Sequence, residues 1–256
     1  MSYWRQDVVP PQSLRQDALS VAALNEKGTG DMGYDKLVKS LGDNGQGIHP
    51  CEQGDFMVKS LRVYDDSLKS KKQDWRGQCF GLVVTWLRCK KADEKVLSSG
   101  MSFWAPWAES ESTSLLGASK KSSEALKHQR TSILKSESET VSEIEKDGLT
   151  LSVDHKIEKT CAVSMGWLDL LNTILTESPR FFILGLKRDG GGHAVGFMRQ
   201  WALIGKSTTT YFFDPNFGEV QANNRAGLEV ILKAIDDGTL YKNKYRVKHT
   251  LYPFFY

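Results

Sequence analysis

The chain has 256 residues, of which 40% are hydrophobic and 25% charged, and this composition suits one packed domain with insertions or at most two domains. Its 34 basic and 31 acidic residues are interspersed and give a net charge of +3, which argues against nucleic-acid binding. The apolar stretches are too short to span a bilayer, and the amino-terminal residues lack the continuous apolar core of a Sec-type signal peptide.

The four cysteines, Cys51, Cys79, Cys89 and Cys161, are widely spaced in a long chain. This spacing does not indicate a disulfide-stabilised scaffold. The sequence contains no Cys-X-X-Cys pair and no Cys/His pair at the spacing of zinc ligands. We therefore expect neither a metal site nor an organic cofactor.

The first 55 residues are interrupted by Pro and Gly in "VVPPQS", "KGTGDMG" and "GDNGQGIHP". Two short helices are predicted between these interruptions, at about 13–26 and 34–41. We interpret residues 1–55 as an irregular amino-terminal region that serves packing or delivery, and residues 56–256 as the main domain.

The middle of the chain is predicted to be helical. After Asp55 the apolar spacing is that of a helix, and a helix with a largely apolar surface follows from Cys79, in "RGQCFGLVVTWLRC". Residues 108–147 are rich in Ser, Glu and Lys, and their apolar spacing predicts a helical insertion with a solvated charged face. A short strand at 149–154 and a helix at 163–176 are predicted next.

The last third changes to the pattern of strands. Strands are predicted at 180–187, 192–204 and 208–214, followed by a helix in "RAGLEVILKAIDDG" and a last strand in "YRVKHTLYPFFY". Helices followed by an antiparallel sheet, with a cysteine opening an early helix, indicate an α+β papain-like domain whose helical part packs on the sheet. The glycine-rich "DGGGHAVG" leads into a strand, so it lacks the helix amino terminus that a phosphate-binding loop needs.

Three residues of this pattern could carry chemistry together. Cys79 starts a helix, His193 follows three glycines and starts a strand, and Asp214 ends the next strand in "YFFDPNFGE". Antiparallel neighbours joined by a short turn place the start of one strand near the end of the next. We therefore expect His193 and Asp214 side by side at one sheet edge, with the amino terminus of the Cys79 helix facing them.

Each residue type suits a role in nucleophilic catalysis. A helix amino terminus favours the thiolate of Cys79, an imidazole takes its proton, and an acidic side chain fixes the imidazole tautomer. Gly191 and Gly192, together with Gly190, would let a substrate backbone approach the histidine closely. Trp75 would form a wall of the cleft.

Each of the three residues also has a structural interpretation. Taken alone, Cys79 is more often an inert core thiol, His193 a turn residue, and Asp214 a turn or cap residue before proline. Their order and their local contexts together favour the catalytic interpretation.

The segments "GQCFGL", "GGGHAVGF" and "YFFDPNFGEV" resemble the three motifs of the YopT-type cysteine peptidases, a papain-like family of bacterial effectors. The resemblance covers roughly residues 70–256 and is specific around the motifs. It implies a catalytic triad of Cys79, His193 and Asp214. In the broader papain pattern a Gln precedes the Cys by six residues, which implies Gln73 as an oxyanion donor.

The resemblance implies a secreted bacterial effector or toxin that acts as a thiol endopeptidase on a target-cell protein. It would be made in the bacterial cytoplasm and delivered into the target cell without a Sec signal. Two alternatives remain: a glutamine deamidase or transglutaminase, since the same acyl-thioester chemistry serves them, and a binding module with a vestigial site. The expected partners are the protein substrate and, as further candidates, a secretion chaperone or a cognate immunity protein. We expect a monomer that neither binds nucleic acid nor inserts stably into a membrane.

Overall fold

The structure, a computed structural model, describes residues 29–51, 79–95, 103–104, 137–146, 148–160, 166–188, 191–202, 206–236, 240–241 and 247–255. The helices of these ranges are α1 (Thr29–Leu41), α2 (Cys79–Lys95), α3 (Glu137–Glu145), α4 (Trp167–Thr176) and α5 (Arg225–Asp236). The strands are β1 (Gly45–Pro50), β2 (Thr150–Leu151), β3 (Ile157–Thr160), β4 (Phe181–Arg188), β5 (Gly191–Arg199), β6 (Thr210–Asp214), β7 (Gly218–Ala222) and β8 (Lys248–Phe255). No helix within the described ranges is long and apolar enough to cross a membrane.

The strands form one sheet in the order β1-β7-β6-β5-β4-β8-β2, and β3 also pairs with β8. The pairings within these ranges are antiparallel. The central strand β4 reads FFILGLKR, and its first six residues are all buried. A strand that is apolar on both faces needs cover on both faces.

Helices supply that cover. Helix α2 packs on one face, mainly against β5, and α1, α4 and α5 form a layer against the other face. Each face therefore has its own apolar core, and the sheet separates the two. This arrangement confirms the predicted α+β fold, in which helices pack on an antiparallel sheet.

Helix α2 is buried along most of its length. Its first nine residues, CFGLVVTWL, are all buried, which is the environment expected for a helix that is apolar all round. Each fully buried large apolar side chain in it stabilises the fold by about 1.5–3 kcal/mol. The helix approaches β5 at Gly196, where an added Cβ would lie 3.0 Å from both Val83 Cγ1 and Trp86 Cζ3. Glycine at this position therefore sets how closely α2 lies against the sheet.

Helix α4 is held at its carboxyl end by a buried arginine. Arg199, at the end of β5, donates to the carbonyl oxygens of Ile174 (2.8 Å) and Glu177 (2.7 Å). The last carbonyl groups of a helix have no partner within the helix, and a cation there also complements the helix dipole. This contact fixes the outer helical layer to the strand that carries His193.

The structure corrects the sequence analysis at the amino-terminal end. The predicted helix at 34–41 is present as α1, which begins earlier, at Thr29, and packs on α5. Residues 45–50, which we interpreted as irregular, form a strand paired with β7, and the predicted helix at 13–26 lies outside the described residues. The regular part of the fold therefore begins before residue 55. The domain boundary at residue 55 stays a prediction, because residues 52–78 lie outside the described residues.

The other predicted elements differ mainly in their ends. The predicted helix at 163–176 begins at Trp167, and the predicted strand at 149–154 is a two-residue strand followed by a 3-10 turn, Val153–His155. Strands β3 and β7 were not predicted. Of the 108–147 insertion the structure describes residues 137–146, where α3 is helical as expected, and the remainder lies outside the described residues.

Candidate active site

Cys79 is the first residue of α2 and is buried, with 4% of its surface exposed. The first N–H groups of a helix have no acceptor within the helix and carry its positive dipole end. The side chain of Cys79 therefore lies at the positive end of the α2 dipole. The local sequence supports this placement, since the apolar run that forms the helix begins directly after the cysteine.

His193 is the third residue of β5, and Asp214 is the last residue of β6. The two strands pair antiparallel, with Gly196 opposite Phe213, so the start of β5 and the end of β6 lie at one end of the sheet. Both side chains are buried, and His193 Nε2 lies 2.9 Å from Asp214 Oδ1. The predicted juxtaposition of these two residues is present.

Cys79 is the third member of this group of side chains, because its thiol is hydrogen-bonded to His193. Nε2 of the imidazole is occupied by Asp214, which leaves Nδ1 as the ring nitrogen for the thiol. The three side chains thus lie in the order thiol, imidazole, carboxylate. This is the order that a nucleophile, its base and the group orienting the base require.

Burial and the neighbouring groups shift the pKa of His193 in opposite directions. Burial has the largest single effect on its pKa and disfavours the imidazolium, whereas the negative charge of Asp214 favours it. Hydrogen bonds to Asp214 and Cys79, and the charge of Cys79, act in the same direction as Asp214. Together they outweigh burial and raise the pKa of His193 well above its ordinary value of 6.5. The surroundings of His193 therefore favour its imidazolium form.

Asp214 is held by hydrogen bonds at both carboxylate oxygens. Oδ1 accepts from the backbone N–H of Asn216 at 2.8 Å as well as from His193. Oδ2 accepts from the hydroxyl of Tyr241. Both oxygens of the fully buried Asp214 side chain therefore have partners, which fix its orientation toward the imidazole.

The segment "DPNFG" forms the turn that shapes this end of the sheet. The N–H of Phe217 donates to the carbonyl oxygen of Asp214 at 3.0 Å, and the N–H of Cys51 donates to the carbonyl oxygen of Phe217 at 3.2 Å. Gly218 closes the turn with φ +124°, where an added Cβ would lie 2.1 Å from the carbonyl oxygen of His49. Only glycine fits there, because both the backbone angle and the close approach of β1 exclude a side chain.

This geometry can be compared with known proteins. The Peptidase_C58 family, described as Yersinia/Haemophilus virulence surface antigen, matches residues 55–251. The chain belongs to the Peptidase_C58 family. The family assignment confirms the YopT-type resemblance that the three motifs indicate. Among solved structures, the crystal structure of the Pseudomonas avirulence protein AvrPphB is similar, with 18% sequence identity, 71% of this chain and 93% of that chain covered, and a TM-score of 0.42. The comparison with curated proteins finds no match.

The other site residues predicted for this Peptidase_C58 protein have different outcomes. Gly191 and Gly192 are the first two residues of β5, directly before His193, and they pair with Arg188 and Lys187 of β4. They lie in extended strand, next to His193 in the chain. Gln73 and Trp75 lie outside the described residues, as does Gly190, and their roles stay predictions.

Sequence reasoning missed two side chains of the site. Tyr241 reaches Asp214 from beyond α5, and no local pattern in "GTLYKN" marks it, since only the fold brings it to β6. Asn216 places its side-chain Nδ2 3.5 Å from His193 Nε2. A signal for Asn216 was present, because Asp-Pro-Asn is typical of a turn in which the Asp side chain accepts from the backbone two residues later.

No group of three or more His, Cys, Asp or Glu side chains in the described part of the chain could hold a metal ion. The thiol, imidazole and carboxylate of the site are already bonded to one another.

Proposed function

We propose that this Peptidase_C58 protein is a thiol endopeptidase that uses Cys79 as nucleophile, His193 as general acid and base, and Asp214 as the residue that orients the imidazole. The observation that carries the proposal is the hydrogen-bonded row of these three buried side chains at the amino terminus of α2. Membership of a family of effector cysteine peptidases supports the same chemistry.

The first half of the proposed reaction forms an acyl-enzyme. The thiolate of Cys79 attacks the carbonyl carbon of the scissile peptide bond, a C–S bond forms, and the carbonyl electron pair moves to oxygen. The tetrahedral intermediate then collapses and the C–N bond breaks. His193 gives its proton to the leaving amine, which departs with the carboxyl-terminal part of the substrate.

The second half regenerates the enzyme. Neutral His193 takes a proton from a water molecule, whose oxygen attacks the thioester carbonyl. The C–S bond breaks, Cys79 leaves as thiolate, and the amino-terminal part of the substrate is released as a carboxylic acid. The imidazolium and thiolate are restored as a pair, which the raised pKa of His193 favours at neutral pH.

In the tetrahedral intermediate the substrate oxygen is negatively charged and needs hydrogen-bond donors to stabilise it. The backbone N–H of Cys79, in the first turn of α2, is suited to this, and we propose the side-chain amide of Gln73 as the second donor. Losing one such donor typically raises the barrier by about 2.7–4 kcal/mol. We propose that Gly191, Gly192 and Trp75 line the cleft that receives the substrate backbone.

The proposed substrate is a protein of a target cell, into which the bacterium delivers the enzyme. The family description as a virulence antigen supports this setting. We propose production in the bacterial cytoplasm and secretion without a Sec signal. A secretion chaperone or a cognate immunity protein is a further proposed partner.

Mass spectrometry of new protein termini in a target-cell lysate tests the proposal. Wild-type protein and Cys79→Ala are incubated in parallel, and termini that arise only with the wild type support a peptidase and name its substrate. Cys89→Ala is the matched control, since Cys89 is also buried in α2 but lies about 15 Å further along the helix axis. It is expected to cleave like the wild type.

Two results would contradict the proposal. Intact proteins that gain about one dalton at Gln, only with the wild type and without new termini, would indicate a deamidase. Identical termini with the wild type and Cys79→Ala would show that the cysteine does no chemistry.

A further inference from the structure

Tyr241 touches two members of the proposed triad although it lies far from their motifs in the sequence. Its hydroxyl donates to Asp214 Oδ2, and its ring lies beside the imidazole of His193, with centroids 5.5 Å apart and planes inclined by 66°. The ring also lies beside that of Phe217 in the "DPNFG" turn, with 5.8 Å between the ring centroids. Tyr241 is buried, with 6% of its surface exposed.

We propose that Tyr241 is a positioning residue of the active site, which fixes the rotation of the Asp214 carboxylate and thereby the orientation and charge of His193. This inference rests on the proposed function in one respect, the catalytic use of His193. The contacts that carry it are observed independently of any substrate.

The hydrogen bond has only one direction. An ionised carboxylate accepts and cannot donate, and a phenol is protonated at neutral pH, so Tyr241 donates to Asp214. Oδ1 is already shared by His193 and the Asn216 N–H, whereas Oδ2 takes its hydrogen bond from the tyrosine. The two oxygens thus accept hydrogen bonds from different groups, and together these bonds prevent the carboxylate from turning about its Cβ–Cγ bond.

The tyrosine itself is placed by a packed element. It follows α5 after a short connection, and the N–H of the preceding Leu240 donates to the carbonyl oxygen of Ala234 in α5 at 3.0 Å. Helix α5 packs against α4, α1 and β7. Tyr241 therefore reaches Asp214 from a turn that is hydrogen-bonded to a packed helix, which suits a residue that must hold another group still.

The orientation of the Asp214 carboxylate affects the protonation of His193. Burial disfavours its imidazolium, and the favourable effects come from Asp214 and Cys79. In the part of the chain that the structure describes, the titratable groups beside the imidazole include these two and Tyr241. If the carboxylate turns away from Nε2, burial is less well opposed, and His193 loses its proton at a lower pH.

NMR titration of His193 in histidine-labelled protein tests the inference without a substrate. Tyr241→Phe keeps the ring contacts and removes the hydroxyl. We expect the His193 midpoint to fall by about one pH unit, a tenfold loss of proton affinity, which is the scale of one hydrogen bond to a charged group. We expect Asp214→Ala to lower the midpoint further, and Tyr241→Phe to have no added effect in the Asp214→Ala protein.

Tyr34→Phe is the matched control. Tyr34 is a buried tyrosine in the same core as Tyr241, and its hydroxyl donates to the backbone oxygen of Glu219 at 3.2 Å. Tyr34→Phe therefore also removes one buried hydroxyl, and it is expected to leave the titration midpoint of His193 unchanged. Thermal melts of the two Phe variants check that both remain folded.

The outcomes separate this inference from the proposed function. An unchanged or raised His193 midpoint in Tyr241→Phe would overturn the positioning role, and so would a further shift in the Asp214→Ala background. A lowered midpoint that vanishes in that background supports the role. If the midpoint falls as expected but Cys79→Ala and wild-type protein act alike on a lysate, the inference holds and the proposed function fails.

Discussion

Lys90 and Glu219 form an ion pair inside the protein, with 2.5 Å between Nζ and Oε1 and both side chains buried. The other oxygen, Oε2, accepts from the indole N–H of Trp86 at 2.9 Å and of Trp104 at 2.6 Å. One carboxylate on β7 therefore binds two side chains of α2 and the segment at 103–104. Since α2 begins with Cys79 and β7 follows Asp214, this contact joins the two halves of the proposed site.

The first prediction concerns the removal of that carboxylate. Glu219→Ala leaves the Lys90 ammonium buried without its counter-charge and takes the acceptor from two indole N–H groups. Breaking a buried pair in this way typically costs about 3–5 kcal/mol, and we expect a loss of that size in the free energy of unfolding, measured by urea denaturation.

An exposed ion pair provides the control for this loss. Glu229 and Lys233 pair at 2.6 Å on α5, with side chains 33% and 51% exposed. Glu229→Ala is expected to change stability by no more than about 0.5 kcal/mol, since helix-surface pairs contribute little. Similar losses in the free energy of unfolding for Glu219→Ala and Glu229→Ala would show that burial of the Lys90–Glu219 pair does not increase its effect on stability.

The second prediction concerns the contact between α2 and β5. Gly196→Ala adds a methyl group 3.0 Å from side-chain atoms of Val83 and Trp86, so the helix must shift away from the sheet. Overpacking of this kind costs about 1–3 kcal/mol, and the displacement also moves Cys79 relative to His193. We expect a lower melting temperature and, once a substrate is known, a lower kcat.

A glycine with free space is the control for Gly196→Ala. At Gly42, with φ +51°, an added Cβ would meet no atom within 4 Å, and Asn tolerates that backbone conformation. Gly42→Asn is expected to be close to neutral. If Gly196→Ala is equally neutral, the close approach of α2 is not limited by that glycine.

The sequence predicts those elements whose apolar pattern is long enough to identify them. Strand β4 begins with six buried residues in a row and was predicted within one residue at each end, and α2 is an apolar run whose start at Cys79 was predicted. Strands β1 and β7 read GQGIHP and GEVQA, which carry little intrinsic strand preference. They are strands because each pairs with a neighbour distant in sequence, and that pairing is a property of the fold.

The same distinction applies to the site. Cys79, His193 and Asp214 lie in short motifs with recognisable surroundings, and the structure brings their side chains together as the motifs suggest. Tyr241 lies outside these motifs, and Glu219 lies inside the third motif but has no pattern of its own that names its partners, because the role of each depends on which side chains the fold brings to it. The catalytic roles themselves stay predictions until they are measured.

The third prediction ranks the three proposed catalytic residues. Cys79→Ala and His193→Ala are expected to lower kcat by at least about 10⁴-fold while the fold survives, since each removes a group that acts in the reaction. Asp214→Asn is expected to lose less. Its amide oxygen can still accept from His193, and the Tyr241 hydroxyl can turn to accept from the new NH₂ group. Single-turnover kinetics on the identified substrate, with circular dichroism as the fold check, measures this ranking.

A different ranking would change the role of the acid. An Asp214→Asn enzyme as inactive as Cys79→Ala would indicate that the negative charge, and not the orientation of the ring, is what the reaction needs. A Cys79→Ala enzyme with full turnover would remove the cysteine from the mechanism.

The fourth prediction concerns stability against pH. Burial lowers the pKa of His193, but the charge of Asp214 and the hydrogen bonds of the site raise it well above 6.5 in the folded protein. The native state therefore keeps a proton that the unfolded state has released above pH 6.5. Stability from this group is complete below pH 6.5 and is lost as the pH rises through the native pKa of His193.

Urea denaturation of wild-type and Asp214→Asn protein across this range measures the effect. The substitution removes the charge that raises the His193 pKa, so the stability advantage of the wild type should be largest at about pH 6. It should then shrink steadily as the pH rises toward the native pKa of His193. A difference between the two proteins that stays constant with pH would contradict the charge coupling between His193 and Asp214 and leave only a packing effect of the carboxylate. Glu229→Ala in the same series shows the pH dependence of a pair that does not involve the histidine.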